Sequence, residues 1–223
     1  MPYTINKTAA VPTLEGNWDA PVWQNAETLC IANVRPESSD HRPNVQARFL
    51  HDGTTICAIY RVEDQYVRAA HTGFQAPVCR DSCVEFFFQP HAGPGYFNFE
   101  FNCGGTFLCS YIRDCTRIGD DGFADCQMLG QDAADAVSVY HSLPETVDPE
   151  ITEPTIWTLQ FAIPISLLEI YAGPLGDVTG KEWTANFYKC GDETSHPHWI
   201  SWVPVDELNF HLPRCFQPIA FGS

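Results

Sequence analysis

Phenylalanines at positions 97, 99 and 101 alternate with Tyr96, Asn98, Glu100 and Asn102. In an extended chain this puts the rings on one face and an amide–carboxylate–amide row on the other. The segment 81–89 divides the same way, with Asp81, Cys83, Glu85 and Phe87 opposite Ser82, Val84, Phe86 and Phe88. If the two segments pair, Glu85 and Glu100 share one polar sheet face. Arg61, at the end of 56–61, is expected to reach the same surface and balance them. Such groups offer directional hydrogen bonds, bidentate to vicinal hydroxyls, and so suit a hydroxyl-rich ligand. Aromatic rings add the flat apolar surface on which the C–H face of a sugar ring stacks. The plainer reading makes Glu85 and Glu100 ordinary outward strand residues, satisfied by arginine and water.

A second group lies near the end of the chain, where Trp199, Trp202, Phe210 and His211 fall in a stretch rich in Pro and Asp. Tryptophans beside a strand usually go to the core. A large apolar residue such as Phe210 in a loop needs a partner or a ligand, and loop aromatics carry function more often than core ones. Two carboxylates about 5 to 9 Å apart can also hydrolyse a glycoside. An adjacent arginine would lower both pKa values, however, and no nucleophile elbow, zinc-protease helix or phosphate loop is present. No catalytic residue is assigned. His196-Pro197-His198 with Asp192 and Glu193 has a metal-site composition, but Pro197 places it in a turn and the loop reading wins.

These residues must be positioned by strands. Short runs rich in Val, Ile, Phe, Tyr and Thr are separated by turn signals such as His51-Asp52-Gly53-Thr54 and Cys103-Gly104-Gly105-Thr106. Strands are expected at 28–34, 45–51, 55–61, 82–89, 96–102, 106–113, 136–141, 157–164, 184–190 and 216–221. Helix is scarce, with one turn at 165–170 and another at 205–209. The pattern is that of an all-β chain, a single-domain antiparallel β-sandwich over 1–223.

Charge narrows the partners. The chain of 223 residues has 12 Lys and Arg against 28 Asp and Glu, a net charge of −16. Nucleic acid and anionic membrane surfaces are excluded as partners, since both are bound through Lys and Arg. An aromatic content of 13% with only 18% charged residues excludes disorder. More than half of the net charge falls in an acidic insertion around 114–153, read as a solvated segment over one edge of the sandwich, with 142–154 a loop. Within it Asp120, Asp121 and Asp125 form a candidate calcium site, because carboxylates beside a Gly turn suit a hard cation. No secretory signal is visible, so the chain reads as cytoplasmic, or as secreted with its signal removed. The ten cysteines, none in a C-x-x-C pair, are read mainly as reduced core thiols.

The order of motifs resembles carbohydrate-binding module family 9-like domains. Leu14-Glu15-Gly16-Asn17-Trp18-Asp19 with Trp23 is similar to that family's opening, and His51-Asp52-Gly53 to its first hairpin. Asp81-Ser82-Cys83-Val84-Glu85-Phe86-Phe87 resembles its "DScvEfF" strand, and 96–102 the strand that follows. The segment 182–189 is similar to a later strand motif. Ile200-Ser201-Trp202, Asn209-Phe210-His211-Leu212-Pro213 and Phe216 resemble its closing signature. The resemblance implies a jelly-roll-like β-sandwich that binds glycans without catalysis or a required cofactor, alongside carbohydrate-active enzymes, often with structural calcium nearby. It places the strand carboxylate at Glu85 and a stacking aromatic at Phe210, while an arginine of founding members falls at Glu100. The second stacking tryptophan falls at Val78 or Cys79, so half of the aromatic sandwich is missing. Arg61, Glu100, Trp199 and His211 complete the expected site. The alternatives are a protein-interaction sandwich without sugar binding, a haem-binding relative ligated through Met128, and a glycoside hydrolase.

Overall fold

A computed structural model describes residues 2–90, 95–119 and 122–223. The first third of the chain forms β1 (Tyr3–Lys7), β2 (Thr28–Ile31), β3 (Asn33–Val34), β4 (Asn44–His51), β5 (Thr55–Asp64) and β6 (Val67–Ala69). Next come β7 (Cys83–Gln89), β8 (Tyr96–Asn102), β9 (Phe107–Ile118) and β10 (Gly122–Met128), and within this group each strand is antiparallel to the one before. After α1 (Gln131–Ala136) follow β11 (Ser138–His141), β12 (Val147–Ile151) and β13 (Thr155–Pro164). The chain ends with α2 (Ile165–Ala172), β14 (Glu182–Cys190), β15 (Trp199–Ser201) and β16 (Gln217–Phe221).

Two layers result. One runs β10-β9-β8-β7-β14-β16-β1 and the other β1-β4-β5-β13-β11, with β2 beside β4. Strand β1 serves both: Tyr3, Thr4 and Ile5 pair parallel with Ile219, Ala220 and Phe221, while Asn6 and Lys7 pair parallel with Leu50 and His51. The layers close as a β-sandwich around aromatic rings. Phe86 stacks on Phe187 at 5.1 Å and 2°, and Phe101 meets Phe161 of the opposite layer at 4.5 Å and 8°. Phe97, Phe99 and Phe101 all point into this core, as their alternation requires.

The hairpin turns follow from local chemistry. The Asp52 carboxylate accepts the amides of Thr54 and Thr55, both at 2.9 Å, and closes the β4–β5 turn, with Gly53 at φ +99°. In the β8–β9 turn the Asn102 side-chain oxygen accepts the amides of Gly104 and Thr106.

Several expectations are corrected. The run 28–34 breaks at Ala32 into β2 and β3, which pair with different neighbours. The segment 205–209 forms no helix; the Val205 carbonyl accepts Arg35 Nη1 at 2.7 Å instead of closing a helical turn. Nor is 142–154 all loop, because β12 lies within it and pairs antiparallel with β6. The acidic stretch supplies β10 and β11, the outer strands at that side of each layer. Charge on an edge strand discourages pairing with another chain.

The largest correction concerns the polar face of β7 and β8. Alternation alone leaves it open on the outside of the sheet, yet Glu85 is 2% exposed and Glu100 5%. Val205, Leu212 and Phe216, from the segment that returns before β16, pack over Phe87, Tyr96, Ile112 and Tyr188 as a partial third layer.

Candidate functional site

The floor of the site is a row across three adjacent strands. Glu85 on β7 stands directly opposite Glu100 on β8 and Tyr188 on β14. Residues opposite one another in antiparallel strands share a face, so all three project outward, away from the aromatic core. Glu85 Oε1 accepts the Cys190 thiol at 3.0 Å, and Glu100 Oε1 accepts the Asn98 amide at 2.8 Å. The other side of Asn98 is fixed by the Ser110 backbone amide, which donates to it at 2.8 Å. Sequence alternation on two strands thus brings Glu85, Asn98 and Glu100 together as expected.

Two aromatics border this floor. Phe210 lies flat against Tyr188, with ring centroids 4.1 Å apart and planes 12° from parallel, and its carbonyl accepts the Tyr188 hydroxyl at 3.1 Å. Trp199 is held on the other side, where its indole N–H donates to Asp192 Oδ1 at 2.7 Å. Phe210 and Trp199 both pack on the small cluster of Val78, Cys83 and Cys190. His211 has a different position: it sits among Phe87, Tyr96 and Phe123 and hydrogen-bonds the Tyr96 hydroxyl at 2.9 Å. Desolvation lowers its pKa to about 3, so His211 is a neutral prop under the loop that carries Phe210.

The electrostatics are unusual for a surface row of acids. Burial, and then the charge of Glu100, push the Glu85 carboxyl well above its ordinary range. Burial also raises Glu100, to about 7, and Asp192 adds to the shift. Asp192 itself is raised, again by desolvation first and then by Glu193. The pair therefore retains a proton near neutrality.

A carboxylate–amide floor bordered by two aromatic rings offers hydrogen bonds and a flat apolar surface to a ring-shaped polyol. The model of carbohydrate-binding family 9 matches residues 20–221. The chain belongs to carbohydrate-binding family 9. Among solved structures this family 9 chain is similar to a Bacteroides uniformis protein assigned to carbohydrate binding. That match has a TM-score of 0.84 and 28% identity, over 98% of this chain and 97% of that one. Two structures of a family 9 module from Caldicellulosiruptor kristjanssonii share the fold. The complex with glucose has a TM-score of 0.64 at 13% identity, over 99% of this chain and 96% of that one. The complex with cellotriose has a TM-score of 0.58 at 12%, over 99% and 94%. No curated protein matches the chain.

The family 9 motif around Glu85 has a structural half. Asp81 is fully buried and its carboxylate accepts Arg68 Nη1, the amides of Ala70 and His71, His71 Nδ1 and Asn102 Nδ2, all between 2.9 and 3.1 Å. Asp81 therefore ties β6 to the start of β7 and the end of β8. Glu85, four residues on, is the half that faces the site.

Arg61 does not reach this surface. It lies on β5 in the opposite layer, its neighbours Tyr60 and Val62 point into the core, and its guanidinium pairs with Glu63 at 2.7 Å. Strand alternation then turns Arg61 to the far outside of the sandwich.

The calcium reading falls largely outside the described residues. Asp120 and Asp121 lie outside them, and the Asp125 carboxylate is held bidentately by Arg113, both contacts at 2.9 Å. The ligand-type clusters among the described residues are Cys83 with Glu85 and Cys190, and His41 with Asp64 and His198. Neither is the all-oxygen set that calcium takes. His198 is part of a packed network in which it meets Lys189 Nζ at 2.6 Å, while Asp64 takes His41 at 2.7 Å and Trp157 at 3.1 Å. His196 stacks instead on Tyr66. Met128, the candidate haem thioether, is 53% exposed on the outer strand β10.

Tyr188 and Cys190 belong to the candidate site without having been singled out by sequence, and Asp192, read there only beside His196 and His198, joins them. A signal exists for the first two: they alternate with Phe187 and Lys189 in a predicted strand, and pairing that strand with β7 puts them beside Glu85. Asp192 follows β14 in a turn, and no periodicity points to it.

Proposed function

We propose that this family 9 chain binds carbohydrate without catalysis on the outer face of β8, β7 and β14. A sugar ring lies against Phe210, beside Trp199, and its hydroxyls reach Glu85, Glu100 and Asp192. The observation that carries the reading is the opposed pair Glu85–Glu100 beside the Phe210–Tyr188 stack. Family membership supports it. The glucose and cellotriose complexes of the Caldicellulosiruptor kristjanssonii module make sugars of that kind reasonable first probes.

The geometry argues against hydrolysis. Both carboxylates rise from one sheet floor, on the same side of any ring laid on it. A glycosidase needs its acid and its nucleophile or base to flank the scissile bond.

A glycan array followed by calorimetry on the hits tests the proposal, with Phe210→Ala as the control. Binding in the wild type that is lost in the variant, with the fold kept, supports it. An array without a hit would move the reading to a protein-interaction sandwich. Sugar release from a polysaccharide that disappears in Glu85→Gln would make the chain an enzyme.

A further inference from the structure

We propose that the sugar bound here carries a protonated amine: the ligand is an amino sugar. The inference rests on the carbohydrate reading above and specifies its chemistry.

Three acids converge on the site, and none has a cation. Glu85 and Glu100 face each other across a strand pair, an arrangement in which like charges repel. Among the described residues no Lys or Arg comes within 4.0 Å of Glu85, Glu100 or Asp192, although eleven ion pairs occur elsewhere. The nearby cations are otherwise engaged. Lys189 points to the opposite face of β14, where it meets His198 and Asp64. Arg80 pairs with Glu193, and Arg117 lies over the Phe123 ring at 4.2 Å.

The carboxylates are also half used. Each commits one oxygen inside the protein, Glu85 to a thiol and Glu100 to an amide. The Oε2 atom of each accepts no hydrogen bond from the described residues and, unlike Thr179 Oγ1 and Ser201 Oγ, is not sealed from solvent, so it stays open to a ligand. A thiol is a weak donor, so even the bound oxygen of Glu85 is poorly satisfied. Carboxyls buried without a cation keep a proton rather than bear a negative charge, and an ammonium group can take the place of such a proton. A hydroxyl can donate one hydrogen bond but brings no charge. An ammonium group brings three donors and the positive charge the site lacks, and the Phe210 face beside it is a further attraction for a cation.

Calorimetry on the full chain at pH 6.5 tests this with three trimers of equal length: β-1,4-linked glucosamine, its N-acetylated form and cellotriose. The amine trimer should bind at least tenfold more tightly than either neutral one. Glu100→Gln should cut that preference to about twofold, and Glu85→Gln should act in the same direction. Neutral trimers that bind as well as the amine overturn the proposal and leave carbohydrate binding standing. No binding of any trimer overturns both. A preference that survives in both Gln variants would mark general attraction of a polycation to a chain of net charge −16, and would also overturn it.

Discussion

The Phe210 ring is fixed to Tyr188 twice, by a stack with centroids 4.1 Å apart and by the Tyr188 hydroxyl on its carbonyl. A loop residue is thereby anchored to the sheet that bears the carboxylates. The two contacts separate by mutation. Tyr188→Phe keeps the stack and removes a hydrogen bond of about 1 kcal/mol, so affinity for sugar should fall about fivefold. Calorimetry with unchanged affinity would show that the hydroxyl does not position the platform.

Phe210→Ala removes the platform itself. Sugar binding should drop at least tenfold. The ring is only half-buried, and the lost stack of about 1 kcal/mol should lower the melting temperature by about 2–4 °C. A scanning calorimetry trace that showed collapse of the fold would make Phe210 a core residue instead.

Asp81 should matter for stability and not for ligand contact. Asp81→Ala strands Arg68, His71 and Asn102 and unties β6, at a cost of about 3–5 kcal/mol. Urea unfolding at neutral pH measures it. A loss under about 1 kcal/mol would mean that this network is redundant.

Stability should depend on pH through Glu100. Its folded pKa, about 7, is raised from the usual 4.5. Between those values the folded chain holds a proton that the unfolded chain has released, so stability falls as pH rises. The fall from this group runs between those two values and levels off above the folded pKa. Glu85 is raised too and acts in the same direction. Glu100→Gln should flatten the decline and be more stable than wild type at pH 8. A wild-type stability curve that rises from pH 5 to 8 would contradict the paired, uncompensated carboxylates.

Cysteine labelling checks the burial of the floor. Cys83 and Cys190 are buried and directly opposite each other, and burial pushes the Cys83 thiol up to about 12. Iodoacetamide at pH 8 should modify Cys30 and Cys126, which are exposed, and reach Cys83 and Cys190 only after unfolding. Mass spectrometry of the native protein distinguishes the two sets.

Much of the site is legible in the sequence wherever period-two alternation decides it. Phe97, Phe99 and Phe101 allow only one burial face, and that places Asn98 and Glu100 opposite. The meeting of Glu85 with Glu100 requires only that consecutive strands pair. Arg61 fails because its strand lies in the other layer, and layer membership is a long-range property that alternation does not encode. The depth of the carboxylates is hidden for a related reason. Part of the same sheet face, at Phe87, Tyr96, Ile112 and Tyr188, is packed by a segment more than a hundred positions further on, around Val205, Leu212 and Phe216, whose composition resembles any loop. Asp192 is grouped in the sequence with His196 and His198 and not with Glu85, because turns carry no periodic signal.

The parallel pairing of β1 with β16 has a mechanical consequence. Tyr3 lies beside Ile219 and Ile5 beside Phe221, so the first and last strands run side by side in the same direction. A tether pulling the two ends of the chain away from each other would slide these strands lengthwise. The backbone bonds between them would then carry the load together instead of breaking in succession. Tension on a module attached at both ends would meet this shear clamp before it reached the Glu85–Glu100 pair, which begins two strands from β16, beyond β14.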